Sequence, residues 1–329
     1  YRRHYRLGRD PAARSGYHHF LVEQGYTPEQ GGFFNREETA RMPEEASKPA
    51  FLAREATRFI REHREEPFIL YVNFLEPHMP FFGPRDGQYR PEDVDLPPDY
   101  EQAPAADQPL KTRLLREHYR ELGFEGHDLR SEAGWRRLIA NYWGLCSLVD
   151  TYAGKILDAI DACGLRDTTI VVYTSDHGDM MGSHQLLTKC VHFEEALRVP
   201  LLVRLPGQRE GRRVGGAFSQ IDLVPTLLDL LGETPPEGLQ GASRRAELES
   251  GRDCTADVFY EWNGNNFPAL GSGSHDGSKP PSASGVERMA SAAEIMRAAS
   301  DEVRGVITSD GWKANLSPSG EHELYHLAE

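Results

Sequence analysis

Cysteine is scarce in this chain: Cys146, Cys163, Cys190 and Cys254 are the four among 329 residues, and they form neither a C-x-x-C pair nor a zinc-ligand spacing. No thiol-based redox or zinc motif is therefore available. Cys146 falls on an apolar helical stripe, where a buried thiol is the ordinary occupant, and Cys190 reads as structural. Positive charge is also short. Against 37 Lys and Arg stand 51 Asp and Glu, a net charge of -14, which argues against a polyanion-binding surface and gives no support to nucleic-acid recognition. A small anionic substrate is still allowed, because a metal and a lysine reverse the sign locally. No apolar run is long enough to span a membrane, and no internal repeat is visible. No signal peptide is seen either, but the chain opens on Tyr1 rather than Met, so that says nothing about secretion.

What is present is a globular composition, 39% hydrophobic and 27% charged, long enough for a large core. The first fifty residues are polar and turn-rich and read as connecting structure. From Ser47 onward Phe51, Leu52, Ala56, Phe59 and Ile60 recur at helical spacing. Residues 68–75 follow as an apolar run that predicts a buried strand. Residues 83–107, rich in Pro, Asp and Gly, predict an irregular excursion over the active face. A long helix is expected over 131–163, carried by a stripe from Leu138 to Ile160 and stopped by Gly164. Residues 168–173 are β-branched and apolar throughout, the pattern of a fully buried parallel strand. A further strand is expected over 199–205 and a helix over 220–232, with Pro225 in its first turn. Strand and helix in alternation predict a largely parallel sheet covered on both faces, an α/β fold. After about residue 234 the character changes. A possible strand at 258–262, a Gly/Ser/Pro-rich stretch over 264–285 and three short strands near 304–308, 312–316 and 323–327 predict a small antiparallel subdomain, with Ser309-Asp310-Gly311 as a hairpin turn. The expected division is 1–235 and 236–329.

The chemistry concentrates at Thr174-Ser175-Asp176-His177-Gly178-Asp179-Met180-Met181-Gly182-Ser183-His184, with Lys189 shortly after. Asp176 and His177 stand at the carboxyl end of a predicted strand, where open α/β sheets place their ligands. A carboxylate and a neutral imidazole suit Ca²⁺, Mg²⁺, Mn²⁺ or Zn²⁺, and a nearby lysine suits a phosphoryl or sulfuryl oxygen. Upstream, Glu76-Pro77-His78-Met79-Pro80 puts a histidine in a loop that its flanking prolines hold out of a helix. His18, His19, His63, His118, His127 and His192 lack ligand spacing and default to structural or solvated roles; His275 earns no functional role.

Together these strings resemble the type I sulfatases of the alkaline-phosphatase-like superfamily. The resemblance implies a three-layer αβα sandwich with a mostly parallel sheet plus the small C-terminal antiparallel subdomain. It implies Asp176 and His177 as metal ligands, Lys189 as a sulfate-binding electrophile, and His78 as a sulfate hydrogen-bond donor and general acid. His184, in the Gly-x-His position, falls near the substrate. Residues 220–232 are similar to the family's Asp-Leu-x-Pro-Thr-Leu-Leu stretch, and Glu323-Leu324-Tyr325-His326-Leu327 to its Glu-Leu-Tyr-x-Leu ending. Ca²⁺ is the metal implied first, with Mn²⁺ or Zn²⁺ as alternatives that His177 favours. The substrate implied is a sulfated small molecule or carbohydrate, and the compartment periplasmic or extracellular.

One part of the family pattern has no counterpart. No cysteine stands in Cys-x-Pro-x-Arg, no Ser-x-Pro-x-Arg occurs, and no strand with paired aspartates precedes His78. The formylglycine nucleophile that the family builds at that motif is thus expected in sequence upstream, and the chain alone is expected to be inactive. Asp176-His177 fits equally a phosphonate monoester or phosphodiester hydrolase of the same superfamily. A catalytically dead homologue that binds a carbohydrate or a partner is the third alternative. Residues 83–107 and 261–264 are candidate substrate-facing loops, with Trp262 either stacking on a ring or packing.

Overall fold

The structure is a computed structural model that describes residues 13–29, 32–264 and 285–327. Most of the Gly/Ser/Pro-rich stretch, and His275 within it, lies outside the described residues. Two compact units are formed from interleaved segments. One gathers Tyr1–Pro98, Leu122–Thr174 and Pro200–Gly207; the other gathers Asp99–Glu121, Ser175–Val199 and Gln208–Glu329.

The first unit is organised by two long helices. Ser47 caps the helix Lys48–Glu62 by accepting from the Ala50 amide at 3.4 Å, and Pro49 occupies its first turn. Ser131 caps Glu132–Ala162 in the same way, accepting from Gly134 at 3.2 Å. That helix ends where Gly164, at φ +71°, lets the Leu165 amide turn back to Ile160. The apolar stripes of the two helices meet. Ala53 packs with Leu148 and Tyr152, and Ile60 with Ala159 and Ile160. Ile60 and Leu148 are essentially fully buried, each stabilising by about 1.5–3 kcal/mol. The N-terminal region, expected to be connecting structure, holds the helix Gly16–Glu23, whose Tyr17, Phe20 and Leu21 form a cluster with Phe34 and Met42.

The expected sheet differs. Residues 68–75 are extended but make no strand ladder. Phe68 and Leu70 pack on the Ile60 cluster, whereas Ile69 and Tyr71 are 90% and 85% exposed. Strand β1, Val171–Thr174, pairs with β2, Leu201–Arg204, antiparallel rather than parallel, from Val171 opposite Arg204 to Thr174 opposite Leu201. Tyr173 and Leu202 are exposed. A largely parallel sheet is therefore not present among the described residues. The two long helices cover one face of these extended segments through Phe68, Leu70 and Val171, and the apolar residues of the other face are exposed.

In the second unit, β3 Val258–Asn263, β4 Glu302–Ile307, β5 Trp312–Leu316 and β6 Glu323–His326 form an antiparallel sheet in that order, as the sequence predicts. Tyr260 faces Gly305 across β3 and β4, and a Cβ there would stand 2.1 Å from the tyrosine ring. Glycine is what lets that ring lie across the neighbouring strand. The expected helix over 220–232 is shorter, Leu223–Leu230, preceded by a tight turn at Gln220–Asp222. No described helix is long and apolar enough to cross a membrane.

Candidate active site

Each sequence-predicted site residue is placed by its own local structure. In the first unit, the His78 amide donates to the Leu75 carbonyl at 3.0 Å, and its Nδ1 lies 3.1 Å from the Met79 carbonyl. A carbonyl only accepts, so Nδ1 carries a proton. His78 lines a small pocket with Arg36, Ser47, Glu76 and Phe82. Glu76, which the sequence did not single out, is buried there with Oε2 unpartnered, and burial pushes its carboxyl above the usual carboxylate range.

In the second unit, Asp176 and His177 lie in the turn that follows β1. The Asp176 carboxylate accepts from the His177 amide at 3.0 Å, and Ser175 Oγ donates to the His177 carbonyl at 2.8 Å. His177 Nδ1 lies 2.8 Å from the Gly178 carbonyl and must donate to it. Nε2 then faces Asp176 Oδ2 at 3.7 Å. Two ligands at roughly 2.0–2.5 Å from one cation can stand that far apart, so the pair fits the divalent metal that the resemblance implies. The turn is seated from both sides. The Gly178 amide donates to Ala196 at 2.9 Å, and Gln220 Nε2 donates to the Ser175 carbonyl at 2.7 Å.

The loop that leads from this turn to Lys189 is closed by Asp179. Its Oδ1 accepts from the amides of Met181 at 3.1 Å and Thr188 at 2.9 Å, and Tyr119 Oη meets Thr188 Oγ1 at 3.0 Å. Burial pushes the Asp179 carboxyl up to about 6, against the two amides and the charge of Lys189. Six non-glycine residues have positive φ among the described residues, and five of them, Met181, His184, Gln185, Thr188 and Cys190, fall in this one loop. Backbone strain of that kind is held only where surrounding contacts enforce it, and it clusters at functional sites.

His184 is not grouped with Asp176 and His177. Its Nδ1 lies 2.8 Å from the Gln102 carbonyl and its Nε2 3.2 Å from Asp99 Oδ2, with Glu195 completing a three-residue cluster. Phe193 stacks on its ring at 4.2 Å. Asp99 carries no local sequence signal, and what joins it and Glu195 to His184 is tertiary folding. Trp262 packs instead of lying bare, with Lys111 Nζ 4.1 Å over its ring. His192 stacks on Tyr260, and burial together with Lys111 and Lys313 lowers it to about 4, a structural histidine as expected. Cys146 and Cys190 are half-buried thiols, and Cys254 is buried.

Comparison with known proteins gives these features a family. The sulfatase family model matches residues 10–233. The chain is 32% identical over 239 residues, 68% of its own length, to the multifunctional alkaline phosphatase superfamily protein PehA of Trinickia caryophylli. It is 28% identical over 221 residues, 64% of its length, to an arylsulfatase of Clostridium perfringens. These alignments span 46% and 44% of the two relatives, so the chain covers about half the length of each. Among solved structures, a phosphonate monoester hydrolase from Silicibacter pomeroyi superposes with a TM-score of 0.72 at 21% identity, over 94% of this chain and 62% of that one. At that identity the likeness speaks for the fold, which is that of the alkaline-phosphatase-like enzymes. With the family model matched over residues 10–233, most of the chain, and a relative 32% identical over 68% of it, the chain belongs to the sulfatase family.

Proposed function

We propose that the chain supplies cation- and anion-binding groups of a sulfuric ester hydrolase. The observation that carries this reading is the Asp176 and His177 pair: the imidazole is held by the Gly178 carbonyl so that Nε2 and Asp176 Oδ2 face each other at 3.7 Å. These two atoms would hold a divalent cation, Ca²⁺ first. Such a cation supplies positive charge for the oxygens of a bound sulfate. Lys189, delivered by the loop that Asp179 closes, adds a second positive charge for the same anion. By the resemblance, His78 would be the sulfate hydrogen-bond donor and general acid, donating from Nε2 when that nitrogen is protonated. The attacking group of the family, a formylglycine, has no motif within these 329 residues. The chain's own residues therefore act by binding, orientation and proton placement. The substrate is a sulfated small molecule or carbohydrate.

A second reading has support of its own. The Silicibacter pomeroyi neighbour is a phosphonate monoester hydrolase, and histidine beside the metal aspartate suits both chemistries. The test is equilibrium binding. Ca²⁺ should bind the purified chain and be lost in Asp176→Asn and His177→Ala. Inorganic sulfate or phenylphosphonate should then bind the Ca²⁺-loaded chain and be lost in Lys189→Ala. A tenfold preference for phenylphosphonate selects the second reading, and absence of Ca²⁺ binding rejects both.

A further inference from the structure

The Asp99, His184 and Glu195 cluster does not include the Asp176 and His177 pair and has its own chemistry. Each residue offers one ligand atom, and the three atoms lie within 4.8 Å of one another. Asp99 comes from the irregular excursion, His184 from the strained loop after β1, and Glu195 from the short helix Glu194–Leu197. All three belong to the second unit.

The way the cluster is held is what makes it unusual. The Gln102 carbonyl, outside the cluster, sits 2.8 Å from His184 Nδ1 and can only accept, so the ring's proton is on that nitrogen. The ring's other nitrogen, Nε2, lies 3.2 Å from Asp99 Oδ2. Asp99 Oδ1 is buried with no hydrogen-bond partner at all. Side-chain exposures of 15% for His184 and 17% for Asp99 leave little room for bulk water to mediate. The imidazole and two carboxylates thus converge on one small, largely dehydrated space in which Asp99 Oδ1 is left unpartnered, a setting that a cation between them would satisfy. A backbone carbonyl that fixes the tautomer of a histidine is also the usual outer support of a metal-ligating imidazole.

We propose that Asp99, His184 and Glu195 form a second divalent-cation site, selective for a first-row transition ion such as Mn²⁺ or Zn²⁺ over Ca²⁺. Imidazole ligation sets that preference, and two carboxylates neutralise the ion's charge. Three protein ligands leave further positions for water. The bound ion ties the excursion, the strained loop and the Glu194–Leu197 helix together, so its binding free energy adds to the stability of the folded unit.

Manganese titration of the full chain, followed by electron paramagnetic resonance, tests this. The variant Asp176→Asn/His177→Ala, in which the first pair is removed, should still bind one equivalent of Mn²⁺, with a nitrogen hyperfine signal from one imidazole and a Tm raised by the ion. Adding Glu195→Gln should weaken that equivalent about 10- to 100-fold, and adding His184→Gln should also remove the nitrogen signal. Asp99→Asn, which keeps size and shape, guards against a variant that merely fails to fold, with circular dichroism as the check. In the wild-type background, Glu195→Gln should leave Ca²⁺ binding intact, so failure here is separable from failure at Asp176 and His177. The proposal is overturned if the Asp176→Asn/His177→Ala chain binds no Mn²⁺, or if its affinity is unchanged by Glu195→Gln and Asp99→Asn. It is equally overturned if histidine NMR shows His184 doubly protonated at neutral pH in the presence of Mn²⁺, because protons then occupy the place assigned to the ion.

Discussion

The Gly178 amide donates to the Ala196 carbonyl across 2.9 Å, and a Cβ on Gly178 would stand 1.9 Å from the Glu195 carbonyl oxygen. The turn carrying Asp176 and His177 is thus seated directly on the backbone that carries Glu195. Because the obstructing atom belongs to the main chain, no rotamer change can make room. Gly178→Ala is predicted to destabilise the protein by about 1–3 kcal/mol, as overpacking does, and to weaken Ca²⁺ binding with it. Urea unfolding and a Ca²⁺ titration check this; an unchanged midpoint together with unchanged affinity would show that the contact carries no load.

The same residues show how far the sequence could be read. The helix Glu132–Ala162 was legible almost to the residue, because Ser131, an unbroken apolar stripe and Gly164 are local signals that all agree. Residues 68–75 and β1 were misleading in one respect. An apolar run states that both faces tolerate burial, but it does not state that both are covered, and here Ile69, Tyr71 and Tyr173 are open. Asp176, His177 and Lys189 announced themselves through a contiguous string. The partners of Asp99, Asp179 and Glu195 could not be read from it, since a carboxylate's role is decided by which distant amide, imidazole or carbonyl folding brings to it.

Asp222 lies in the stretch that resembles the family's Asp-Leu-x-Pro-Thr-Leu-Leu, and the structure gives it an anchoring role. Its Oδ2 accepts from Arg244 Nε at 2.7 Å and its Oδ1 from the Ala242 amide at 2.8 Å, with only 5% of the side chain exposed. Asp222→Ala leaves a largely buried guanidinium without its counter-charge and an amide without its acceptor. A loss of about 3–5 kcal/mol is expected for breaking a buried pair from one side. Asp222→Asn, which can still accept from Ala242, should cost less. Thermal unfolding of the two variants, ranked in the opposite order, would refute the assignment.

Lys111 is buried, with Nζ unpartnered and held over the Trp262 ring at 4.1 Å. Burial lowers its amine to about 8, from 10.5 in the unfolded chain. A depressed amine favours the native state above its unfolded value, and that contribution is lost as pH falls from 10.5 through about 8. The full effect is of the order of 3 kcal/mol, at about 1.4 kcal/mol for each pKa unit. Lys111→Met is therefore predicted to stabilise the protein near pH 7 by about 1–3 kcal/mol, tempered by loss of the cation–π contact. The difference between variant and wild type should shrink between pH 8 and 10.5. Urea unfolding at pH 7, 8.5 and 10 measures it, and a pH-independent difference would exclude a buried charged amine.

Turnover supplies the last prediction. On the proposed reading Asp176, His177, Lys189 and His78 supply cation- and anion-binding groups, but hydrolysis of a sulfate ester also needs an attacking group. None of the four cysteines stands in Cys-x-Pro-x-Arg, and no Ser-x-Pro-x-Arg occurs in the 329 residues. The purified chain with Ca²⁺ is therefore expected to bind an activated aryl sulfate without hydrolysing it measurably above the buffer rate. The result that would overturn this is clear turnover of the aryl sulfate that Lys189→Ala abolishes. Such a result would mean that a nucleophile other than formylglycine works in this chain. The half-buried Cys190, beside Lys189, would be the first thiol to replace, although burial raises its pKa and so disfavours the thiolate.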